Sequence, residues 1–168
     1  MDNQSGVTRD RHYGHAEWTD KYFTVIDTGG YVVGSEDVFE DAIRSQVELA
    51  IEESTVILFM VDTMSGLTEL DKDFANVLRR YGKPVLLVAN KADTTERYQS
   101  AAEFYELGLG DSIYPISAAT GGGTGELLDK VISYFPNDGI EDPDAGIPRI
   151  AILGRPNVGK SSFLNVLT

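Results

Sequence analysis

The stretch Ile150-Ala-Ile-Leu153, followed by Gly154-Arg-Pro-Asn157-Val-Gly159-Lys160-Ser161, is compatible with very few folds. Four consecutive apolar residues read as a strand buried on both faces, and Ser161 to Leu167 carry apolar residues at helical spacing. Between them, the spacing G-x-x-x-x-G-K-[ST] lets backbone N–H groups curl around phosphate oxygens. Lys160 can neutralise their charge and the Ser161 hydroxyl suits magnesium. Strand, glycine loop and helix in that order is the context this motif needs. Gly154, Arg155, Pro156, Asn157, Val158, Gly159, Lys160, Ser161 and the neighbouring Ser162 are therefore the candidate phosphate-binding residues.

The rest of the chain alternates strands and helices. Tyr22 to Ile26 reads as a strand and Glu36 to Glu52 as a helix; Val56 to Val61 is a continuous apolar run of the kind buried on both faces. Leu70 to Tyr81 reads as a helix ended by Gly82, Val85 to Ala89 as a strand, and Ala101 to Leu107 as a helix. Ile113 to Ile116 follows as a short strand and Gly125 to Phe135 as an amphipathic helix. This predicts an α/β protein with a predominantly parallel sheet, helices on both faces, and its ligand at the carboxyl ends of the strands. Gly121-Gly-Gly-Thr-Gly lacks a lysine and reads as a loop before a helix. Between Phe135 and Pro148 the composition turns acidic and breaker-rich, as in a linker.

With 168 residues, 42% hydrophobic and 24% charged, the chain fits one globular domain. It has no apolar run of about 18 residues and no charged-then-apolar leader, so no membrane span or signal peptide is expected. Without cysteine there is no disulfide framework or thiolate zinc site. A net charge of −13 argues against binding bare DNA or RNA through a broad basic face. Arg9, Arg11 and His12 form a small basic cluster that reads as a solvated loop. His12 and His15 are spaced to share a metal on a helix, but their segment reads as loop or strand and no carboxylate spacing completes a site.

Two further motifs lie at predicted strand ends. Asp27-Thr28-Gly29-Gly30 has the D-x-x-G form; beside a phosphate loop, Asp27 can hold a magnesium-bound water and Gly30 can offer its N–H to a terminal phosphate. Asn90-Lys91-Ala92-Asp93 discriminates guanine. Asp93 can accept from the ring N–H and exocyclic amine of guanine, a donor pair that adenine lacks. Asn90 is expected to contact the other edge of the base and Lys91 to lay its stem along the ring. Ser117 and Ala118 are small enough for their backbone to approach the guanine carbonyl. Thr8, in Gly6-Val-Thr-Arg-Asp10, has a hydroxyl suited to magnesium and an N–H suited to the terminal phosphate.

Taken together, Gly-Val-Thr-Arg-Asp-Arg-His-Tyr, Asp-Thr-Gly-Gly-Tyr, Asn-Lys-Ala-Asp, Ile-Ser-Ala and Gly-Arg-Pro-Asn-Val-Gly-Lys-Ser resemble the bacterial Der (EngA) GTPases, which carry two tandem G domains. The resemblance covers nearly the whole chain. It implies a Ras-like P-loop G domain, binding of GTP or GDP with magnesium, GTP hydrolysis, and work on the large ribosomal subunit in the bacterial cytoplasm. Lys160, Thr8 and Gly30 would then be the catalytic residues, with Ser161, Thr8 and Asp27 around magnesium and Asn157 beside a potassium ion. Tyr31 stands where many Ras-like GTPases place a water-orienting glutamine and has no side-chain amide for that task; with the sequence starting at the threonine loop, slow hydrolysis is expected.

The motif order departs from that pattern, because the phosphate loop comes last. Residues 1–135 resemble a first G domain without its own first strand and phosphate loop, 136–147 a linker, and 148–168 the start of a second G domain. The expected outcome is a circularly permuted strand order with Arg149 to Leu153 returning to the centre of the sheet. About eleven linker residues reach on the order of 35 Å when extended, which suffices for closure within one molecule. An empty central slot would leave backbone groups unpaired. The alternatives are a swapped homodimer filling the same slot and a folded fragment that binds nucleotide weakly or not at all.

Overall fold

A computed structural model describes residues 12–28, 45, 48–136, 146–155 and 157–168. Its sheet is six-stranded, in the order β1-β2-β6-β3-β4-β5. The strands are β1 (His12–Trp18), β2 (Lys21–Asp27), β3 (Val56–Asp62), β4 (Val85–Asn90), β5 (Ile113–Pro115) and β6 (Arg149–Leu153). Only the β1–β2 pair is antiparallel among them.

The last strand in sequence is central in space. Ile150 pairs with Val25 on one side and Val56 on the other, and Ala151 with Ile26 and Ile57. The ladder continues past the strand, where Thr24 N donates to Pro148 O (2.9 Å) and Thr55 N to Arg149 O (2.7 Å). Ile150, Ala151, Ile152 and Leu153 are wholly buried. Each large side chain among them contributes about 1.5–3 kcal/mol by leaving water.

Side chains alternate across the sheet with period two and so divide the core in two. Val25, Leu58, Met60, Ile150 and Ile152 face α3 (Thr124–Ile132) and α4 (Lys160–Leu167), meeting Leu127, Val131 and Phe163. Ile26, Ile57, Phe59, Ala151 and Leu153 face the other layer. There they meet Phe74 and Leu78 of α1 (Glu69–Leu78), Ile51 of the helical residues 48–53, and Phe104 and Leu107.

Four elements differ from, or sharpen, the sequence expectation. β1 falls where the sequence reads as loop or strand: its hairpin with β2 turns at Thr19 and Asp20, both with positive φ (47° and 66°) and without the glycine that usually marks such a turn. Ala101–Leu107, expected as a helix, is a 3-10 helix, preceded by the short α2 (Thr95–Ser100). The reason is its apolar spacing: buried Ala101, Phe104 and Leu107 recur every three residues, the 3-10 repeat. The helices expected to run to Tyr81 and Phe135 end at Leu78 and Ile132, and turns carry the remaining residues. The expected Glu36–Glu52 helix lies mostly outside the described residues, as does most of the 136–147 linker.

Candidate functional site

β6 ends at Leu153 and delivers the glycine loop to the carboxyl edge of the sheet. Two glycines are dictated by close approach. A Cβ on Gly154 would lie 2.6 Å from Met60 O, and one on Gly159, whose φ is +106°, would lie 2.1 Å from Asn90 Nδ2. Lys160 opens α4 and folds back over the loop, donating to Gly154 O (2.7 Å) and Arg155 O (2.9 Å). Its side chain is buried, and burial lowers its pKa to about 8. The Asp27 charge opposes this shift and the Arg155 charge adds to it. Ser161 and Ser162 are exposed in the first turn of α4, and Asn157 is exposed with φ +69°. Val158 sends its side chain into the core.

The N-K-x-D motif lies against this loop. Asn90 is buried at the end of β4, where Nδ2 donates to Val158 O (2.8 Å) and Oδ1 accepts from Ala118 N (2.9 Å). One of its two amide N–H groups and its oxygen are thus held inside the protein, so that the residue ties the phosphate loop to the segment after β5. Ser117 is buried, and its N–H and C=O form a tight turn with Gly122 (2.8 Å) and Gly121 (2.8 Å).

Lys91 has positive φ (65°), and its Nζ donates to Asp62 Oδ2 (2.8 Å) and Asn157 O (2.9 Å). Asp93 sits on the more open side of the motif, 3.5 Å from Arg97 Nη1 across one helical turn.

Asp27 is buried at the end of β2, close enough to Lys160 to favour its charged form. The buried Thr28 hydroxyl donates to Ile152 O (3.0 Å) and closes the ends of β2 and β6 together. Thr8, Arg9, Arg11, Gly29, Gly30, Tyr31 and Pro156 lie outside the described residues. The Ser161 hydroxyl and Asp27 carboxylate are hard oxygen donors of the type magnesium selects, and magnesium usually keeps several waters. No cluster of three His, Asp or Glu side chains able to hold a metal occurs among the described residues.

Sequence reasoning missed Asp62 and Asp71. Asp62 ends the apolar run of β3, at the strand edge where such folds gather ligand residues, so its place carried a signal. Asp71 carried none beyond the capping pattern of α1, where Asp71 N donates to Thr68 Oγ1 and Thr68 N to Asp71 Oδ2.

A mostly parallel sheet that brings a phosphate loop, a buried aspartate after β2 and an N-K-x-D motif after β4 to one edge defines a P-loop G domain of Ras-like fold. The family model of 50S ribosome-binding GTPases matches residues 1–91 and 149–168, and the chain belongs to that family. It is 64% identical to the GTPase Der of Cytophaga hutchinsonii over 167 residues, 99% of this chain and 38% of that protein. To the GTPase Der of Amoebophilus asiaticus it is 60% identical with the same coverage. The chain thus spans 38% of the length of these relatives.

Among solved structures, translation elongation factor SelB from Methanococcus maripaludis in complex with the GTP analogue GppNHp is similar. The TM-score is 0.61 at 23% identity, covering 81% of this chain and 30% of that one. The FeoB G-domain from Methanococcus jannaschii gives a TM-score of 0.53 at 22% identity, covering 73% and 78%. These two likenesses concern the fold.

Proposed function

We propose that residues 1–135 and 148–168, joined by the acidic stretch 136–147, act as one permuted G domain that binds GTP or GDP and hydrolyses GTP to GDP and phosphate. The observation that carries this reading is the bonding of Asn90 and Lys91 to the carbonyls of Val158 and Asn157, which links guanine reader and phosphate loop in one crevice. Asp93 reads the base and the loop N–H groups receive the phosphates. Lys160 exchanges its two carbonyl partners for phosphate oxygens. Ser161, Asp27 and Thr8 would hold magnesium, which supplies charge neutralisation at the phosphates. Thr8 and the Gly30 N–H are assigned to the terminal phosphate. Asn157 would face a potassium ion.

Turnover is slow, because Tyr31 has no amide to orient water. By membership of its family, the domain works at the large ribosomal subunit in the bacterial cytoplasm, with guanine nucleotide as ligand and no membrane partner.

Titration with a fluorescent GDP analogue tests the reading. Binding that GTP and GDP displace and ATP does not, lost in Lys160→Ala and broadened to other bases in Asp93→Asn, is expected. Failure of both guanine nucleotides to bind a folded chain would overturn it in favour of a non-catalytic domain.

A further inference from the structure

The segment between β3 and α1 contacts both halves of the crevice. At one end, Asp62 receives Lys91 Nζ on Oδ2 (2.8 Å) and the Met64 N–H on Oδ1 (2.7 Å). At the other, the Arg155 side chain leaves the phosphate loop to meet Ser65 Oγ through Nη2 and Asp71 Oδ1 through Nε at 3.5 Å. Asp71 is wholly buried. With Oδ2 occupied by Thr68 N, its other oxygen has no hydrogen-bond donor among the described residues and lies beside the guanidinium.

Such a pair is a poor way to stabilise a fold, since desolvating two charges offsets most of their attraction. Burial pushes the Asp71 carboxyl above its ordinary value despite the Thr68 hydrogen bonds and the Arg155 charge. What the pair does accomplish is geometric. The Arg155 carbonyl is one of the two that hold Lys160, so fixing the arginine side chain fixes the peptide on which the phosphate-binding lysine rests.

We propose that Asp71, acting through Arg155, is a positioning residue for the phosphate loop, with Asp62 doing the same for Lys91. This rests on the reading of the loop as a nucleotide site. Asp71→Asn keeps an oxygen for the Thr68 N–H while removing the charge. It should weaken GDP binding about tenfold, the scale of one lost charge-assisted contact.

Arg155→Met should cause the same loss, and the double variant no more than either alone. Arg155→Lys, which keeps a cation opposite Asp71, should recover part of what Arg155→Met loses. In the nucleotide-free chain, Asp71→Asn should speed amide hydrogen exchange across residues 154–160 while the strands β3 and β4 keep their protection.

Losses that multiply in the double variant, or unchanged exchange in the loop, would overturn the proposal. If Asp71→Asn fails to fold, Ser65→Ala and Arg155→Met carry the same cycle. If the unmodified chain binds no GDP, the proposed function fails, and loop exchange still decides the positioning role.

Discussion

Raising the pH should weaken GDP binding, with Lys160 as the cause. In the nucleotide-free chain burial holds its pKa down to about 8 from 10.5, with Asp27 opposing and Arg155 adding. Phosphate oxygens beside the ammonium favour its charged form, so the complex keeps the proton to higher pH than the free chain. Above about pH 8, binding therefore takes up a proton, and the dissociation constant grows with a limiting slope of one decade per pH unit. Relative to neutral pH, the loss is roughly twofold at pH 8 and roughly tenfold at pH 9, or about 1.4 kcal/mol.

Calorimetric titration from pH 7 to 9, in two buffers of different ionisation enthalpy, reads both affinity and proton uptake. Lys160→Arg is the control, because its cation does not titrate in this range while every other group is shared. A flat curve for the unmodified chain, or an equal slope in Lys160→Arg, would refute the reasoning. The same shift has a stability counterpart. Between about pH 8 and 10.5 the unfolded chain holds a proton that the folded chain has lost, so stability rises with pH across that window, by up to about 3 kcal/mol. Below pH 8 both states are protonated and the buried ammonium remains a standing cost to the nucleotide-free fold.

Asn90→Ala should destabilise the chain by about 2–4 kcal/mol in denaturant unfolding, because it orphans the buried Val158 carbonyl and the Ala118 N–H together. Gly159→Ala should abolish GDP binding in the same fluorescence titration, since its Cβ would lie 2.1 Å from Asn90 Nδ2 at a φ of +106°. Adding Asn90→Ala removes that clash but not the backbone strain, so binding should stay lost. Replacing potassium by sodium should slow GTP turnover if Asn157 faces a monovalent cation, and equal rates would remove that role. Light scattering should find a monomer at micromolar concentration, with β6 closing its own sheet; a dimer fraction that grows with concentration would favour exchange of β6 between copies.

What the sequence made legible was the edge of the sheet. Asp27, Asn90 and Gly154 each follow an apolar run, and a chain that alternates such runs with helices must gather their carboxyl ends. The direction of a polar group at that edge is a different kind of information. The motif gives Asn90 its residue type, but nothing near it in sequence announces that one of its amide N–H groups holds a carbonyl 68 residues away. Asp71 and Arg155 sit 84 positions apart by their numbering, and nothing local in either segment announces the other. The hairpin at Thr19 and Asp20 gave a weaker signal for a simpler reason, since the turn lacks the glycine that usually marks it and threonine rarely adopts positive φ.

These misses share a cause that bears on how the site works. The contacts that anchor the phosphate loop to the rest of the described structure, through Asn90, Lys91, Asp71 and Ser65, cross from the last twenty residues to the end of β4, the residue after it, α1 or the segment after β3. None can form until β6 has entered the sheet between β2 and β3. Closing that long loop is entropically unfavourable until the pairing and burial of β6 reward it. Docking of β6 and assembly of the site are therefore one event, and a nucleotide that binds only the assembled site stabilises the docked strand by mass action.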